Sequence, residues 1–395
     1  MKNNFDENPV RSEFIPYGKQ YIDEEDIAEV ARVLKSPYLT TGPEVEKFEK
    51  ALCKLTNAKY AVVVSNGTAA LHAACAAIGI THGDEVITTP MTFAASANCV
   101  LYCGGTPVFA DIDPDTWNID PKKIKEKITA KTKAVIAVDF TGQAVQLDEI
   151  RQICTEHDLY LIEDAAHALG TTYKGKPIGS IADLTTFSFH PVKTITCGEG
   201  GAITTNDEHL YEKLNLFRTH AITRDPNKLS QEPFSGYNEQ IALGYNYRMT
   251  DFQAALGLSQ LKKMDLFSKR RKEIVSFYNK EFSKIPQLTI QKEIPESDTT
   301  RHLYIIRIRP DLLSVGRNEF YKDLNKENIG LQVHYIPVYY HPYYQSLGYK
   351  KGLCPIAEKL YEEIITIPLY YSLTDRDVES VVQGVKKIVS RYSLN

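Results

Sequence analysis

A lysine that could act as a nucleophile stands in the segment SFHPVKTITCGEGG, residues 188–201. Lys193 follows the strand-like run ADLTTFSF and precedes a glycine-rich turn. Most lysines are solvated surface residues, but an amine held among apolar residues can attack a carbonyl carbon. The glycines do not have the GxGxxG spacing of a dinucleotide-binding turn. The neighbouring motifs must therefore decide what Lys193 does.

Two other segments place polar groups where a strand pattern ends. SNGTAAL, residues 65–71, reads as a strand end, a glycine turn and a helix start, so that its N–H groups and the Thr68 hydroxyl suit a phosphate. By itself this signal is weak, because small residues are common in such turns. In LIEDAAHALG, residues 161–170, Glu163 and Asp164 end a strongly apolar strand. A carboxylate there needs a cation or hydrogen bonds, although an aspartate can also simply cap a helix.

Taken together, the three segments match the needs of a pyridoxal phosphate enzyme. The lysine would bind the cofactor covalently, the acid would keep its pyridine nitrogen protonated, and the helix start would hold its phosphate. We therefore interpret Lys193 as a nucleophile and Asp164 as the partner of the ring nitrogen.

The elements that must position these residues alternate between strands and helices over about 150 residues. Because the strands are apolar throughout, we expect a mostly parallel sheet covered on both faces. The predicted strands are 59–65, 84–90, 106–112, 133–140, 159–166, 182–189 and 201–206, and the predicted helices include 43–56, 91–104 and 147–158. A long helical stretch, 249–282, leads into a smaller α+β region. We predict an N-terminal segment with a large domain over residues 1–265 and a small C-terminal domain over 266–395.

Composition and charge disfavour several functional classes. The chain of 395 residues has a formal charge of −4 and a pI near 6.2, so it lacks the basic field expected of a nucleic-acid-binding protein. The N-terminus is polar, unlike a signal peptide, and no apolar run approaches the length of a membrane span. No His or Cys cluster has metal-ligand spacing. We expect a cytoplasmic protein with no metal, no membrane partner and no nucleic-acid partner.

Several segments jointly resemble one family over nearly the whole chain. They are YLTTGPEVEKFE, SNGTAALH, PMTFAASAN, IEDAAHALG, SFHPVKTITCGEGG, GYNYRMTDFQAALG and QVHYIPVYYHPYY. By them the chain resembles the DegT/DnrJ/EryC1/StrS nucleotide-sugar aminotransferases. The resemblance implies an α/β protein of fold type I, the aspartate-aminotransferase-like architecture, with pyridoxal 5'-phosphate as cofactor. It also implies a homodimer whose active sites are shared between subunits.

The resemblance implies a role for each matching residue. Lys193 corresponds to the lysine that binds the cofactor, and Asp164 to the partner of its ring nitrogen. A lysine at position 193 is typical of the transaminating majority and not of the dehydratase branch, which has histidine there. Of the other expected cofactor contacts, Phe93 would stack on the ring, and Gly67, Thr68 and Ser188 would bind the phosphate. Asn246 would reach the phosphate from the neighbouring subunit. His167 is also an expected contact, at a position where many members have glutamine.

Within the family, the chain is most similar to the branch that aminates C4 of a UDP-linked 4-keto-6-deoxy-N-acetyl hexose in pseudaminic acid synthesis, with L-glutamate as amino donor. The nucleotide sugar would then be bound by Tyr17, Pro37, Tyr38, Leu39, Thr40, Gln332, Val333, His334 and Tyr335. Other functions remain open at this point. They are amination of another UDP- or dTDP-linked 4-keto or 3-keto deoxysugar, aldol cleavage or cysteine desulfuration, and a non-catalytic regulatory role.

Overall fold

The computed structural model describes residues 8–232 and 234–394. Its helices are α1 (Glu24–Leu34), α2 (Pro43–Thr56), α3 (Gly67–Ala77), α4 (Ala95–Tyr102), α5 (Pro121–Lys125), α6 (Leu147–Glu156), α7 (Glu208–Arg218), α8 (Asp251–Leu261), α9 (Met264–Phe282), α10 (Arg317–Asn325), α11 (Pro342–Ser346), α12 (Pro355–Glu363) and α13 (Asp375–Tyr392). Short 3-10 turns lie at Phe140–Gly142, Pro226–Lys228, Pro310–Leu312 and Val338–Tyr340.

The central sheet joins seven strands in the order β1–β9–β8–β5–β4–β2–β3. The strands are β1 (Tyr60–Val64), β2 (Glu85–Thr88), β3 (Thr106–Phe109), β4 (Thr132–Val138), β5 (Tyr160–Asp164), β6 (Thr172–Tyr173), β7 (Lys176–Pro177), β8 (Leu184–Ser188), β9 (Gly201–Thr205), β10 (Ile222–Thr223), β11 (Glu239–Gln240), β12 (Leu288–Ile290), β13 (Ser297–Asp298), β14 (Tyr304–Ile308) and β15 (Ile364–Ile367). Within this sheet, β9 runs antiparallel to both of its neighbours and the other pairings are parallel. The predicted α/β class with a mostly parallel sheet is confirmed.

Both faces of the sheet are covered, which explains why its strands are apolar on both sides. One face packs on α3, whose small side chains, among them Ala70, Ala73 and Ala74, are fully buried and allow the helix to approach closely. The other face packs on α2 and α6 through residues such as Phe48 and Ile150. Strands buried on two faces must be apolar throughout. This double cover fixes the positions of the strand ends that build the site.

The C-terminal region has its own apolar core. Strands β12, β14 and β15 form an antiparallel sheet. Its residues pack with those of α9, α10 and α13, and Ile15 from the N-terminal segment joins this core. The proposed boundary after residue 265 falls in the first turn of α9, which begins at Met264. The division into two domains at that residue stays a prediction.

Local element predictions differ from the structure mainly at their ends. Helix α2 has the predicted bounds, 43–56, because Pro43 occupies its first turn and Asn57 ends it in the left-handed conformation. The predicted helix 91–104 is shorter, since α4 begins only at Ala95. The predicted helical stretch 249–282 is divided into α8 and α9 at residues 262–263. Over the described residues, the structure contains no helix with the length and hydropathy of a membrane span.

Candidate active site

A cavity of about 1060 Å³ opens where the carboxyl ends of the parallel strands meet. Ligands of open α/β sheets bind at this edge. Twelve of the residues proposed from the sequence line the cavity, namely Tyr17, Gly67, Thr68, Phe93, Asp164, His167, Ser188, Lys193, Gln332, Val333, His334 and Tyr335. The fold thus brings together segments that are up to about 300 residues apart in the chain.

Asp164 is the last residue of β5 and is only 4% exposed. Its carboxylate accepts a hydrogen bond of 2.6 Å from Ser96 Oγ and another of 3.2 Å from the Ala166 backbone N–H. Burial raises the pKa of Asp164, while the Ser96 hydroxyl, the Ala166 amide and the charge of Lys193 act in the opposite direction. The two hydrogen bonds and the charge of Lys193 thus favour the ionised form that a partner for a protonated ring nitrogen requires, and they offset part of the effect of burial.

Lys193 lies in the loop between β8 and β9, in a turn closed by a hydrogen bond of 2.9 Å from its N–H to the His190 carbonyl. Burial lowers the pKa of its amine to about 8, against the opposing effect of the Asp164 carboxylate. A lowered pKa increases the neutral, nucleophilic fraction of the amine near neutral pH. The amine and the carboxylate therefore occupy one cavity and influence each other's charge.

The first turn of α3 has free N–H groups where the sequence predicts a phosphate cradle. Asn66 caps the helix, its Oδ1 accepting from the Ala69 N–H at 2.8 Å, so the preceding N–H groups remain available to a ligand. Gly67 lies directly against Ser188, since a Cβ at position 67 would be 2.9 Å from Ser188 Cβ. Only glycine allows the helix start to approach the end of β8 this closely, and the Thr68 side chain lines the same wall.

Phe93 is not a core residue of a helix. It lies in the turn before α4, lines the cavity and is 64% exposed, although it is a large apolar side chain. The ring of Tyr335 lies near it, with the two ring centroids 6.4 Å apart. An uncovered aromatic ring at the cavity wall is available to a planar ligand.

His167 is buried and its two ring nitrogens differ. Its Nε2 is 3.2 Å from the Tyr335 hydroxyl, while its Nδ1 has no partner among the described residues. Burial lowers the pKa of His167 well below its usual value, and the charge of Lys193 acts in the same direction. A neutral imidazole with one free nitrogen can exchange a hydrogen bond with a ligand in the cavity.

The opposite wall of the cavity comes from the C-terminal region and the N-terminal segment. His334 Nδ1 is 2.8 Å from Thr366 Oγ1 on β15, and its ring lies 5.8 Å from that of Tyr17. His302 also lines this wall, with its ring centroid 4.5 Å from that of His167. Burial lowers the pKa of His334 to about 3. This wall is thus aromatic and uncharged, which suits a sugar ring or a base.

Five residues proposed from the sequence do not line the cavity of their own chain: Pro37, Tyr38, Leu39, Thr40 and Asn246. Residues 37–40 are exposed and are held at the start of α8, where Thr40 bridges Thr250 and the Leu39 carbonyl accepts from the Asp251 N–H. Asn246 is exposed and bridges Thr219. Their contribution to a binding site remains a proposal that requires a second subunit.

Sequence reasoning missed Ser96 and His302. Ser96 is 1% exposed, bonds Asp164, and is itself 2.7 Å from the Thr92 hydroxyl. Two hydroxyl residues at the predicted start of an apolar helix were a usable signal, since Thr92 lies in the turn before α4 and Ser96 in its first turn. His302 gave no local signal, because only the packing of the loop before β14 brings it to the cavity.

Glu163, the neighbour of Asp164, does not line the cavity and instead lies in the interior beside Thr185 and Asp139. It is fully buried, accepts a hydrogen bond of 2.9 Å from Thr185 Oγ1, and interacts with Asp139. Burial raises the pKa of Glu163 to about 7, and burial together with the Glu163 charge raises that of Asp139 well above its usual value. The two adjacent acids of β5 therefore differ in function because alternate strand residues face opposite sides of the sheet.

A family model described as the DegT/DnrJ/EryC1/StrS aminotransferase family matches residues 20–386. The chain belongs to this family. Its members are pyridoxal-phosphate-dependent aminotransferases, and the expected fold type I is confirmed by solved structures of this class. The resemblance inferred from the sequence motifs is therefore confirmed.

Three relatives place the chain within the family. It is 44% identical to the spore coat polysaccharide biosynthesis protein SpsC of Bacillus subtilis, covering 96% of this chain and 98% of that protein. It is 40% identical to a UDP-4-amino-4,6-dideoxy-N-acetyl-beta-L-altrosamine transaminase of Campylobacter jejuni, covering 94% and 99%. The solved structure of Helicobacter pylori PseC, an aminotransferase of pseudaminic acid biosynthesis, is 34% identical with a TM-score of 0.88, covering 96% and 100%. The protein is a sugar aminotransferase of the DegT family.

The residues of the cavity fit pyridoxal phosphate. The close approach of Gly67 to Ser188 leaves a cradle that a Cβ would fill. The unpartnered Nδ1 of His167 and the hydrogen-bonded Asp164 carboxylate provide polar partners in an otherwise apolar site. A cofactor with a phosphate, a hydroxyl and a basic ring nitrogen matches this set of groups.

Proposed function

We propose that the protein transfers the amino group of L-glutamate to C4 of a UDP-linked 4-keto-6-deoxy-N-acetyl hexose, giving UDP-4-amino-4,6-dideoxy-N-acetyl-beta-L-altrosamine for pseudaminic acid synthesis. The observation that carries the transamination is Lys193, whose amine shares a cavity with Asp164 and has a pKa lowered to about 8. The Campylobacter jejuni and Helicobacter pylori relatives, similar over almost the whole chain, support the choice of substrate.

Bound pyridoxal phosphate supplies the carbonyl that exchanges with the amine and the electron sink for proton transfer. Lys193 would hold the cofactor through its amine, and the same amine would move the proton as general base and general acid. Asp164 would keep the ring nitrogen protonated, and the hydrogen bond from Ser96 favours the ionised form of Asp164. The N–H groups of Gly67 and Thr68 with the Ser188 hydroxyl hold the phosphate.

The remaining cofactor and substrate contacts follow from the positions of the side chains. Phe93 would stack on the cofactor ring, and His167 would bond its hydroxyl through the free Nδ1. The uncharged wall of Tyr17, Gln332, Val333, His334 and Tyr335 accepts the sugar nucleotide.

We propose a homodimer that completes this site. Apart from Lys193, the described residues that line the cavity include no lysine or arginine, although the proposed reaction would place a phosphate and a nucleoside diphosphate there. Asn246 and residues 37–40 are exposed on the same chain. In the dimer, Asn246 reaches the partner's cofactor phosphate, and residues 37–40 reach the partner's sugar-nucleotide pocket.

A second candidate is amination of another UDP- or dTDP-linked 4-keto or 3-keto deoxysugar. The relative SpsC favours it, because it is 44% identical, above the 40% of the Campylobacter jejuni transaminase, and carries a name from spore coat polysaccharide synthesis. Both candidates use the same lysine, aspartate and phosphate cradle.

The test is the absorbance of the purified protein loaded with pyridoxal phosphate. Glutamate should convert it to the amine form, and the UDP-4-keto-6-deoxy sugar should restore the lysine-bound form, with the product identified by mass spectrometry. Restoration by only another ketosugar would support the second candidate. Lys193→Ala is the control, and turnover by that variant would contradict the assignment of the lysine.

A further inference from the structure

His72 lies at the centre of an aromatic cluster that the proposed mechanism does not use. It is on α3, one turn after the phosphate cradle, and is 5% exposed. Four rings surround it, with centroid distances of 5.3 Å to Tyr102, 5.1 Å to Phe217, 5.1 Å to Tyr245 and 5.9 Å to Tyr247. Its Nδ1 is 3.0 Å from the Tyr247 hydroxyl. A buried histidine is thus bonded to a tyrosine 175 residues away in the chain.

Residues 245–247 are held in place by backbone hydrogen bonds on both sides. The Tyr245 N–H donates to the Phe217 carbonyl at 2.7 Å, and the Tyr247 N–H donates to the Arg218 carbonyl at 3.0 Å. The Tyr247 carbonyl accepts from the Ser65 N–H at 2.8 Å, next to the cradle of α3. The segment therefore runs in an extended conformation between the end of α7 and the end of β1, and an isolated antiparallel bridge joins Asn246 to Thr219.

Side chains of an extended segment alternate between its two faces. The rings of Tyr245 and Tyr247 stack on each other at 5.1 Å and both contact His72, so they share the inner face. Asn246 between them is exposed and does not line its own chain's cavity. A slip of one residue would turn Asn246 inward and both tyrosines outward. The contacts with His72 thus act together with the backbone hydrogen bonds in holding both tyrosines inward and Asn246 outward.

We propose that His72 is a positioning residue that acts on the partner's active site. Through the hydroxyl of Tyr247 and the two stacked rings, it fixes the register of residues 245–247 and so presents Asn246 to the cofactor phosphate of the other subunit. This inference rests on the proposed homodimer with a shared site. The competing possibility is an action within the same chain, because Tyr247 itself lines the cavity of its own chain and Gly67 and Thr68 lie on the same helix as His72.

The first test compares cofactor affinity among variants of the holoenzyme. Tyr247→Phe removes one hydroxyl, and His72→Phe removes the bonded nitrogen while keeping a ring. Each should weaken binding of pyridoxal phosphate roughly three- to tenfold, the effect of losing one neutral hydrogen bond. Tyr278→Phe is the matched control, because it removes a buried hydroxyl bonded to the Pro368 carbonyl at 3.0 Å in the C-terminal core. That control should lower the melting temperature and leave cofactor affinity unchanged.

The second test uses heterodimers purified with two different affinity tags. A Tyr247→Phe subunit is paired with a Lys193→Ala subunit, so that the one site with a lysine receives Asn246 from the chain with an intact His72–Tyr247 pair. Cofactor affinity at that site, read from the absorbance of the lysine-bound form, should return to the wild-type value. An Asn246→Ala subunit paired in the same way should recover as well.

The outcomes separate this inference from the proposed function. If the Asn246→Ala pairing recovers and the Tyr247→Phe pairing does not, the cluster acts within its own chain and the inference is overturned, while the shared site stands. If Asn246→Ala alone binds the cofactor normally, the shared phosphate site is wrong and the inference fails with it. Normal cofactor affinity in both Tyr247→Phe and His72→Phe would also overturn the inference.

Discussion

The reactivity of Lys193 in the cofactor-free protein follows from its position beside Asp164. Burial lowers the pKa of the amine from the ordinary value of 10.5 to about 8, and the Asp164 carboxylate opposes this change. At pH 8, roughly half of Lys193 is then neutral, compared with about 0.3% for an ordinary lysine, a difference of about 150-fold. Trinitrobenzenesulfonate reacts with the neutral amine only, so Lys193 should be labelled preferentially.

The measurement is the labelling rate at Lys193 as a function of pH, followed by peptide mass spectrometry. The exposed Lys350 serves as the internal reference for the reagent. The wild-type rate should rise with a midpoint near pH 8. In Asp164→Asn the favourable charge is lost, so the amine gives up its proton more easily and the midpoint should fall below that of the wild type.

Two results would refute this reasoning. A wild-type midpoint near 10.5 would show that the loop between β8 and β9 leaves the amine in water. A midpoint that rises in Asp164→Asn would show that Asp164 does not act on Lys193 through its charge. Retention of the wild-type melting profile by the variant excludes unfolding as the cause of a changed midpoint.

Three further predictions concern single side chains around the site. Ser96→Ala removes the 2.6 Å hydrogen bond to Asp164 and should slow the glutamate half-reaction roughly ten- to hundredfold, measured by stopped-flow absorbance. The control is Ser259→Ala, which removes a buried hydroxyl without a partner among the described residues and should leave the rate unchanged. Equal rates in the two variants would disprove the role of Ser96. Gly67→Ala places a Cβ 2.9 Å from Ser188 Cβ and should weaken cofactor binding roughly tenfold or more, measured by equilibrium titration. The control is Gly316→Ala, whose added Cβ meets no atom within 4 Å. Unchanged cofactor affinity in Gly67→Ala would show that the phosphate binds elsewhere. Glu163 has a pKa raised from 4.5 to about 7, so the stability that its neutral form provides is complete below about pH 4.5 and is lost as the pH rises through 7. Between pH 5 and pH 8, the free energy of unfolding of Glu163→Gln should therefore increase relative to that of the wild type by on the order of 3 kcal/mol, measured by urea unfolding. A difference independent of pH would contradict the raised pKa.

Much of the fold was predictable because its signals are local. The apolar runs of β4 and β5 indicate strands buried on both faces, and their alternation with helices indicates a parallel sheet. Pro43 marks the start of α2 for a local reason, its fixed backbone angle. The start of α4 was placed four residues early, because residues 91–94 are apolar enough to continue a helix but form the turn that carries Phe93 to the cavity.

The candidate site was predictable only in part. Lys193, Asp164 and the Gly67 turn stand where strand patterns end, and that position implies the edge of the sheet where ligands bind. Ser96 and His302 were missed because their roles depend on partners that are distant in sequence. Ser96 bonds an aspartate 68 residues away, and no periodicity of residues connects the two.

The sequence by itself determined the kinds of chemical group in the site and the family to which the chain belongs. Residue type and local spacing suffice for this, because a lysine, an acid and a glycine turn keep their chemistry in any fold. Only the tertiary structure decided which groups meet and which way they face. The tripeptide YNY at 245–247 shows the alternation in the sequence, but only the fold shows that its two tyrosines face inward, where both contact His72 on α3. Packing between distant segments, which no local pattern encodes, makes that choice.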